Sequence, residues 1–350
     1  MRKQKILEIG PGIAKSSGGM ARVIRKIKNT PWLKEKYEIE AYGSYADGDK
    51  FYRFLYCITA VVKFRRIVRH YDLIHIHMTS GMSARRKAWY IRKAKRAGKK
   101  VIVQLHCTDY FFTRLDKEKE RNRENIVRSL QMADAVLLLS KKFEKTFRER
   151  TGVQNTYYFP NFIRPEDYPE HKKDPEKFVY LGKLNKDKGI DMLLQALYMM
   201  AADGERPEVI LAGTGDREKY ERLRFCYGLT NVSFSSGWLD QEETKKLLSD
   251  SMVLILPSFH EGFPLSVLEG MASGCAVAAT CTGAVPEMTE FNLTEPGDTG
   301  ALFLRLRWLF LHPEMAAQEG RANREVAFSR FSEEKIMREL GNIYGKVLGK

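Results

Sequence analysis

The sequence predicts an α/β protein built from two doubly wound domains. Short apolar strands alternate with helical stretches, the alternation runs through the chain twice, and 350 residues suffice for two domains of ordinary size. Parallel sheets covered by helices on both faces produce this pattern. The two series meet near residues 159–161. We therefore predict Rossmann-like domains over residues 1–160 and 161–330, followed by a C-terminal helix over 331–350.

The strands follow one another at regular intervals in each series. The first series opens with a strand at residues 5–9, a glycine-bearing loop at 10–19 and a helix from Met20. Its other strands are predicted at 37–42, 73–77, 101–106 and 135–140, and those of the second series at 178–181, 209–212, 232–235, 253–256 and 276–279. Ligands of such sheets bind beyond the carboxyl ends of the strands. We expect these ends to face each other across a cleft, with the last helix crossing back to the first domain.

Charge is distributed unevenly between the two halves. Residues 1–160 carry a formal charge of +21 and residues 161–350 a formal charge of −6, which together give the +15 of the chain. A half that is so basic is expected to face something anionic, such as lipid headgroups, nucleic acid or a phosphorylated substrate.

Two basic stretches of the first half also contain apolar side chains. Residues 51–69 interleave aromatic and aliphatic residues with cations that include Arg65 and Arg66, and residues 85–96 combine Arg85 and Arg86 with Trp89, Tyr90 and Ile91. This mixture is what a helix lying on a lipid surface needs. A core-facing role for the apolar residues of 51–62 remains open. We favour membrane-surface or acceptor contact for the half as a whole.

The remaining bulk features favour a cytosolic enzyme. Five cysteines form an odd number without a C-x₂-C pair, which predicts reduced thiols and no disulfide framework. The first residues run straight into a strand without a signal-peptide core. The longest apolar stretch, nine residues, is well short of the roughly 20 that span a bilayer.

Glu261 and Glu269 are the most informative residues of the chain. They lie on either side of a predicted helix start, just after an apolar strand-like run at residues 252–257. Free N–H groups at a helix start attract a phosphate, and Pro264 in the first turn would give up an N–H that has no helical partner. Two hydroxyl-binding carboxylates beside an anion site indicate a sugar-nucleotide site.

The string from Glu261 to Gly274 resembles the signature of the retaining family 4 (group 1) glycosyltransferases of the GT-B fold. The resemblance covers nearly the whole chain and implies that residues 161–330 bind the sugar nucleotide and residues 1–160 the acceptor. It implies a catalytic Glu261 that holds the sugar hydroxyls and a Glu269 that holds the ribose hydroxyls. Phe263 and Leu265 of the same string are then donor-binding residues.

Four further donor-binding residues are implied by the same family. Lys183 and Lys188 lie in a segment that resembles the Gly-Arg-Leu…Lys-Gly element, whose two cations neutralise the donor diphosphate. Lys183 replaces the usual arginine and cannot form its bidentate fork. Gly215 belongs to a loop that leaves room for the nucleotide, and Leu239 lies where backbone groups contact the base.

The first half contains two more elements that resemble the family. The Gly18-Gly19 loop resembles the one that opens the first helix beside the donor phosphates. His106, in a His-x-x-Asp element at a strand end, is the catalytic residue expected near the hydroxymethyl group of the sugar. His75 and His77 also resemble a family string. We interpret them as strand packing or metal-free surface, because no ligand cluster lies at zinc-like spacing.

Two segments are interpreted as ordinary structure. The chain is several residues short before its Glu295-Pro-Gly-Asp298 segment, where the family carries a turn and a short strand, so we expect a trimmed last strand in the second domain. Asp47-Gly48-Asp49 resembles a metal motif of another transferase fold, but its polar, glycine-bearing surroundings favour a turn.

The preferred hypothesis is a retaining, metal-independent glycosyltransferase of the hexosyltransferase type. Lys183, Lys188 and the helix start offset the diphosphate charge, so neither a cofactor nor a metal is expected. The donor is a nucleoside diphosphate sugar, with UDP as the first guess. The acceptor is predicted to be a lipid-linked molecule or a polysaccharide of cell-surface glycan assembly, at the inner face of the cell membrane.

Three alternatives stay open at this point. A sugar-nucleotide epimerase or a non-catalytic membrane partner could use the same fold. A nicotinamide oxidoreductase could use the glycines at 10–15, although Pro11 removes an N–H and Lys15 stands where a third glycine is needed. A nucleic-acid binder is suggested by net charge alone, without a recognisable binding module.

Overall fold

The computed structural model of the protein describes residues 2–12, 19–46 and 48–349, except for the side chain of Lys50. The contacts between residues divide the chain into two compact units. Unit 1 comprises Met1–Asn161 and Glu334–Lys350, and unit 2 comprises Phe162–Glu333. Each is an α/β unit with a parallel sheet of its own.

Unit 1 holds strands β1 to β6 and eight of the helices within the described residues. In chain order its elements are β1 Gln4–Gly10, α1 Gly19–Asn29, α2 Pro31–Lys36, β2 Tyr37–Gly43, α3 Lys50–Ile67, β3 Leu73–Met78, α4 Met82–Arg96, β4 Lys100–Leu105, α5 Tyr110–Asp116, α6 Glu120–Gln131, β5 Ala135–Leu138, α7 Lys141–Thr151 and β6 Thr156–Tyr158. The eighth helix, α15 Glu333–Leu348, comes from the end of the chain.

The sheet of unit 1 has the order β2-β1-β3-β4-β5-β6 with parallel neighbours. Its central strand β3 is buried on both faces, as expected when helices cover both sides of a parallel sheet. Strand order reverses between β1 and β3, which makes that position the topological switch point of the sheet. The register pairs Glu8 with His75 and His77 with Gln104, so these four polar side chains lie on one face.

Unit 2 holds the remaining strands. Its elements are β7 Asp174–Leu181, α8 Ile190–Ala202, β8 Glu208–Ala212, α9 Arg217–Cys226, β9 Val232–Phe234, α10 Gln241–Asp250, β10 Ser251–Leu256, α11 Leu265–Ala272, β11 Ala276–Ala279, α12 Val285–Met288, α13 Thr299–Leu311 and α14 Pro313–Phe331. The sheet order is β11-β10-β7-β8-β9, and the switch point lies between β7 and β10.

The predicted fold class of two parallel-sheet α/β domains is confirmed. All ten strands expected from the sequence are present, with bounds that lie within four residues of the predicted ones. The prediction missed β6, a three-residue strand that extends the first sheet to six strands. A stretch of three residues that ends two positions before Pro160 gives no alternation to recognise.

The last helix belongs to unit 1, although its sequence follows unit 2. Tyr344 of α15 donates a hydrogen bond to Glu8 of β1 at 2.7 Å, and its ring lies edge-on to Tyr37. Where a last strand was expected to be trimmed, unit 2 has one isolated parallel bridge between Thr280 and Thr294. No helix among the described residues is long and apolar enough to cross a membrane.

Candidate active site

The switch point of unit 2 brings two predicted loops together. Strands β7 and β10 are neighbours, with Val179 beside Leu254, so their carboxyl ends open at the same edge of the sheet. Residues 182–189 leave β7 there and residues 257–264 leave β10. The backbone N–H of Phe259 donates to the carbonyl of Asp187 at 2.9 Å, which ties the two loops to each other.

Lys188 and Glu261 meet at this edge. Lys188 Nζ lies 2.5 Å from Glu261 Oε1, and their side chains are 26% and 10% exposed. The backbone N–H of Lys188 donates to the side-chain oxygen of Asn185 at 3.0 Å, which fixes the short 3-10 turn that presents the lysine. A cation and a carboxylate predicted from separate motifs therefore share one location.

Gly189 allows the two loops to pack this closely. It adopts a left-handed conformation with φ of 71°, which favours glycine, and a Cβ atom there would overlap the carbonyl oxygen of Pro257. A side chain at Gly189 would push apart the loops that carry Lys188 and Glu261.

Helix α11 begins beside Glu261. Leu265 is its first residue, and Pro264 precedes it as the N-cap residue with extended backbone, so the expectation of Pro264 inside the first turn is wrong by one position. Phe263 is buried edge-on to Phe331, with ring centroids 5.2 Å apart. Glu269 lies in the second turn and is 9% exposed. The N–H groups of the first turn and two carboxylates thus occupy one short segment.

Two other loops leave the same edge of the sheet. Gly215 pairs with Leu184 in a parallel bridge, and a Cβ atom on this glycine would overlap the Leu184 carbonyl oxygen. Leu239 follows β9 in a loop whose Gly237 carbonyl accepts from the Ser235 hydroxyl at 2.6 Å. Lys183 is exposed, and its carbonyl accepts from Tyr180 at 2.8 Å. The donor residues predicted in unit 2 all lie in these loops or in α11.

In unit 1, Gly19 is the first residue of α1. Residues 13–18, which include Lys15 and Gly18, lie outside the described residues, and so does Asp47. His106 follows β4 and is half-buried. Its Nε2 lies 2.8 Å from His77 Nδ1.

His106 is the accessible end of a polar network inside unit 1. His77 Nε2 lies 2.5 Å from Glu8 Oε2, and His75 Nδ1 lies 3.0 Å from Glu8 Oε1. Glu8, His75 and His77 have no exposed surface. The interpretation of His75 and His77 as surface residues is therefore wrong, and their packing role is that of hydrogen-bonded core residues. Sequence reasoning missed Glu8, although a glutamate within the apolar strand 6–9 was a usable signal.

The electrostatics of this network follow from burial and mutual contact. Burial alone would raise the pKa of Glu8, but the neighbouring His75 and His77 hold that pKa well below its usual range. Burial, together with the charge of His75, lowers the pKa of His77 to about 4. Burial also holds the pKa of His106 well below its usual range. The Glu8 carboxylate is therefore ionised at pH 7, and the imidazoles of His77 and His106 are neutral.

Glu8, His75 and His77 are the one group of three potential metal ligands found among the described residues. Each imidazole nitrogen, however, lies at direct hydrogen-bond distance from Glu8, at 3.0 Å for His75 and 2.5 Å for His77. Ligands that share a zinc ion at about 2.1 Å are farther apart than this, on the order of 3.3 Å for a tetrahedral site. The atoms present fit a closed hydrogen-bonded cluster better than a metal centre.

The two basic stretches differ in their surroundings. On α3, Phe51 and Phe54 are 72% and 64% exposed, so the core-facing alternative fails for them. On α4, Tyr90 and Ile91 are fully buried, so the lipid-facing interpretation is wrong for these two residues. The spacing of the apolar residues could not distinguish lipid-facing from core-facing positions, because α3 carries apolar residues on two faces.

The four arginines singled out in the sequence are likewise split between these helices. Arg65 and Arg66 are exposed at the end of α3, with Arg65 over the ring of Trp89. On α4, Arg85 pairs with Glu118, and Arg86 lies over the ring of Tyr45.

Comparison with known families agrees with this arrangement. The model of the glycosyl transferases group 1 matches residues 164–326, and the model of glycosyltransferase family 4 matches residues 30–167. The chain belongs to the family 4, group 1 glycosyltransferases. A relative in Escherichia coli K12, WcaL, named as a candidate glycosyltransferase of colanic acid biosynthesis, is 28% identical over 57% of this chain. The match covers 51% of WcaL, so the chain spans about half the length of this curated relative.

Solved structures of low sequence identity share the fold of this chain. Sucrose-phosphate synthase from Thermosynechococcus elongatus aligns with a TM-score of 0.82 at 20% identity, over 99% of this chain and 100% of that one. HepE of Anabaena, solved in complex with UDP-glucose, aligns with a TM-score of 0.78 at 17% identity, over 98% and 99%. At such identities the likeness establishes the GT-B fold alone.

Proposed function

We propose that this chain transfers a sugar from a nucleoside diphosphate sugar to an acceptor hydroxyl, with retention of configuration and without a metal ion. The observation that carries the proposal is the contact between Lys188 and Glu261 at the switch point of unit 2, beside the N-terminus of α11. It joins a phosphate-binding cation, a hydroxyl-binding carboxylate and a helix start in one place.

Each group has a role in this proposal. Lys188 and the first N–H groups of α11 hold the diphosphate, and Lys183 adds a second cation from the rim. Glu261 accepts hydrogen bonds from sugar hydroxyls. Glu269, one turn into α11, accepts from the ribose hydroxyls, and the backbone near Leu239 faces the base. Two lysines and a helix dipole supply the positive charge that a divalent ion would otherwise bring.

The reaction balances without another reagent. The bond between the anomeric carbon and the diphosphate oxygen breaks, and its electron pair stays on the leaving phosphate. The acceptor oxygen forms the new bond on the same face of the sugar, and its proton passes to the leaving phosphate oxygen. Cations placed around the diphosphate stabilise the charge that develops on it, which is electrostatic preorganisation applied to the leaving group.

The donor base is tested first by thermal unfolding with UDP, GDP, ADP, dTDP, NAD and random-sequence DNA. UDP is the base we propose, and the complex of HepE with UDP-glucose supports this choice by analogy of fold only. A ligand at 100 times its Kd stabilises the folded protein by about 2.7 kcal/mol. We expect one nucleoside diphosphate to raise the Tm of the wild type and to lose this effect in Glu269→Ala. Stabilisation by NAD or DNA alone would overturn the proposal.

We also propose that helix α3 lies on the anionic inner face of the cell membrane, where a lipid-linked or polysaccharide acceptor is assembled. Four exposed apolar residues, Phe51, Leu55, Ile58 and Val62, follow one another at helical spacing, so they form one stripe. Phe54 widens that stripe. Scattered exposed apolar residues are normal, whereas a continuous stripe on one helix is typical of an interaction surface.

Basic side chains at the end of the same helix match an anionic surface. Lys63, Arg65 and Arg66 lie in its last turns and are exposed. Each cation near an anionic bilayer contributes about 1 kcal/mol of attraction, which salt weakens. Apolar insertion and charge attraction therefore act together on one short segment.

Vesicle flotation tests this surface. Wild-type protein should float with vesicles that contain phosphatidylglycerol and much less with neutral vesicles. The double variant Phe51→Ser/Phe54→Ser should lose at least tenfold in partitioning. Phe225, which is 81% exposed on α9 of unit 2, provides the matched control, because Phe225→Ser removes an exposed aromatic ring elsewhere. Equal partitioning of both variants would contradict the membrane role of α3.

A further inference from the structure

The buried network of unit 1 forms a chain that leads from Glu8 to His106. Glu8 Oε2 lies 2.5 Å from His77 Nε2, and His77 Nδ1 lies 2.8 Å from His106 Nε2. The rings of His77 and His106 are stacked with centroids 5.1 Å apart. Glu8 and His77 are inaccessible to solvent, whereas His106 is half-buried. One end of the chain is therefore sealed and the other end is accessible.

The proton positions along this chain follow from the donor and acceptor capacities of its members. An ionised carboxylate only accepts hydrogen bonds, so the Nε2 of His77 must carry a proton. A neutral imidazole has one donor nitrogen and one acceptor nitrogen, so the Nδ1 of His77 is an acceptor. The Nε2 of His106 must then be the donor to it.

We propose that Glu8 and His77 are positioning residues that hold His106 as the neutral Nε2–H tautomer, so that its Nδ1 accepts a hydrogen bond from a hydroxyl of the substrate. The inference rests on the proposed glycosyl transfer for the identity of that hydroxyl. A sugar or acceptor hydroxyl that donates to Nδ1 is oriented, and its oxygen becomes more electron-rich. An imidazole in the other tautomer would present an N–H there and could not accept.

The surroundings favour the neutral state of His106. Burial is the largest cause of its lowered pKa, the neighbouring His77 and His75 and the more distant Lys87 act in the same direction, and Glu8 opposes them. Lys87 is buried on α4 and donates to the carbonyl of Ile9 at 2.9 Å. Cationic His106 would place another positive charge near Lys87, which the network disfavours.

A structural role alone would not require this proton order. Tyr344 and His75 also contact Glu8, at 2.7 Å and 3.0 Å, and they join α15 and β3 to β1 without touching His106. These contacts stabilise unit 1 whatever tautomer His106 adopts. The distinction between structural and positioning residues therefore lies in the nitrogen chemistry of His106.

Nitrogen-15 NMR of histidine-labelled protein measures the tautomer directly. The spectrum of His106→Gln identifies the His106 signals among those of the seven histidines of the chain. We expect a protonated Nε2 and an unprotonated Nδ1 for His106 in the wild type. Glu8→Gln and His77→Phe should produce a mixture of tautomers. Tyr344→Phe, which removes another hydrogen bond of Glu8, should leave the His106 signals unchanged.

Kinetics test whether the tautomer matters for the reaction. Glu8→Gln and His77→Phe should lower kcat about 30-fold or more, with the donor KM changed less than threefold. His77→Gln should retain at least a fifth of the wild-type kcat, because its amide can donate to Glu8 and accept from His106. Tyr344→Phe should stay within threefold in both constants.

Two results would overturn the inference. One is an Nδ1–H tautomer of His106 in the wild type, a measurement that needs folded His106→Gln for the assignment alone and no variant of Glu8 or His77. The other is a normal kcat in a folded variant whose His106 tautomer has changed. Failure of the proposed function is recognised separately, as the absence of stabilisation of the wild type by every nucleoside diphosphate. In that case the NMR result still decides whether Glu8 and His77 set the proton order.

Discussion

The two polar sites of this protein are built in opposite ways. In unit 2, Lys188 and Glu261 extend from loops at strand ends and keep part of their surface accessible. In unit 1, Glu8 and His77 lie inside strands and are fully buried. The loop site resembles other ligand sites at switch points, whereas the strand site lies within the core and opens only at His106.

The difference shows how position controls what a charged side chain requires. A charge at a loop keeps contact with water or a ligand, which supply part of its hydrogen bonds. A charge inside a strand has lost its water and needs several fixed partners. Glu8 accordingly contacts His75, His77 and Tyr344. Removing Lys188 or Glu261 should therefore affect the proposed sugar transfer. Removing a partner of Glu8 should affect both the stability of unit 1 and the positions of the protons in its buried network.

The largest expected effect tests whether Lys188 and Glu261 act as one unit. Lys188→Met and Glu261→Gln should each lower kcat/KM by about 10² to 10³, because in the proposed function each removes a charge that faces the reacting sugar diphosphate. The double variant should lose little more activity than either single variant, because the effects of residues in direct contact are not additive. Sugar transfer, or nucleotide release with acceptor present, measures these constants.

The matched control is the exposed pair of Glu218 and Arg222 on α9 of the same unit. Arg222→Gln should remain within twofold of the wild type, because exposed pairs contribute little. If the fold-losses in kcat/KM of the two single variants multiply in the double variant, Lys188 and Glu261 act independently.

Acid sensitivity should be a property of unit 1. The pKa of His77 is about 4 in the folded protein and about 6.5 in an unfolded chain. Between these pH values the unfolded state binds the additional proton, so the free energy of unfolding falls as pH decreases from 6.5 to 4. The shift corresponds to about 3 kcal/mol. Glu8, whose pKa is lowered, contributes stability above about pH 4.5 that is lost progressively below it.

Single-tryptophan variants can follow each unit separately. Trp89 reports on unit 1 and Trp308 on unit 2, in urea titrations at pH 7.5, 6.0 and 5.0. The Trp89 transition should move to lower urea as pH falls, and His77→Phe should reduce this dependence. Parallel movement of the Trp308 transition would show that the acid sensitivity is not specific to unit 1.

The smallest expected effect concerns Lys183, which is exposed at the rim of the unit 2 site. Lys183→Ala should weaken UDP binding by about fivefold, or ~1 kcal/mol, as expected for a solvent-screened charge. Lys183→Arg should bind at least as well as the wild type, because a guanidinium can contact phosphate with two parallel hydrogen bonds. Calorimetry measures both. A loss above 100-fold in Lys183→Ala would place this lysine deeper in the site than its exposure indicates.

Prediction from sequence succeeded where the informative residues are close in the chain. Glu261, Leu265 and Glu269 fall within nine positions, and a strand-to-helix connection fixes their mutual placement almost by itself. The fold class was equally accessible, since short buried strands and helices repeat in order. Pro264 was placed one position too deep because sequence does not resolve the first turn of a helix to a single residue.

The amino-acid sequence by itself determined two parallel-sheet domains, the basic character of the first half and the loop that carries Glu261. Local periodicity and contiguous motifs contain this information. Only the tertiary structure decided that Glu8, His77 and His106 form one chain, that Tyr344 completes it from the far end of the sequence, and that α3 exposes Phe51 and Phe54 while α4 buries Tyr90. Strand register and the choice between two apolar faces of a helix are settled by packing against distant segments, which no local pattern records.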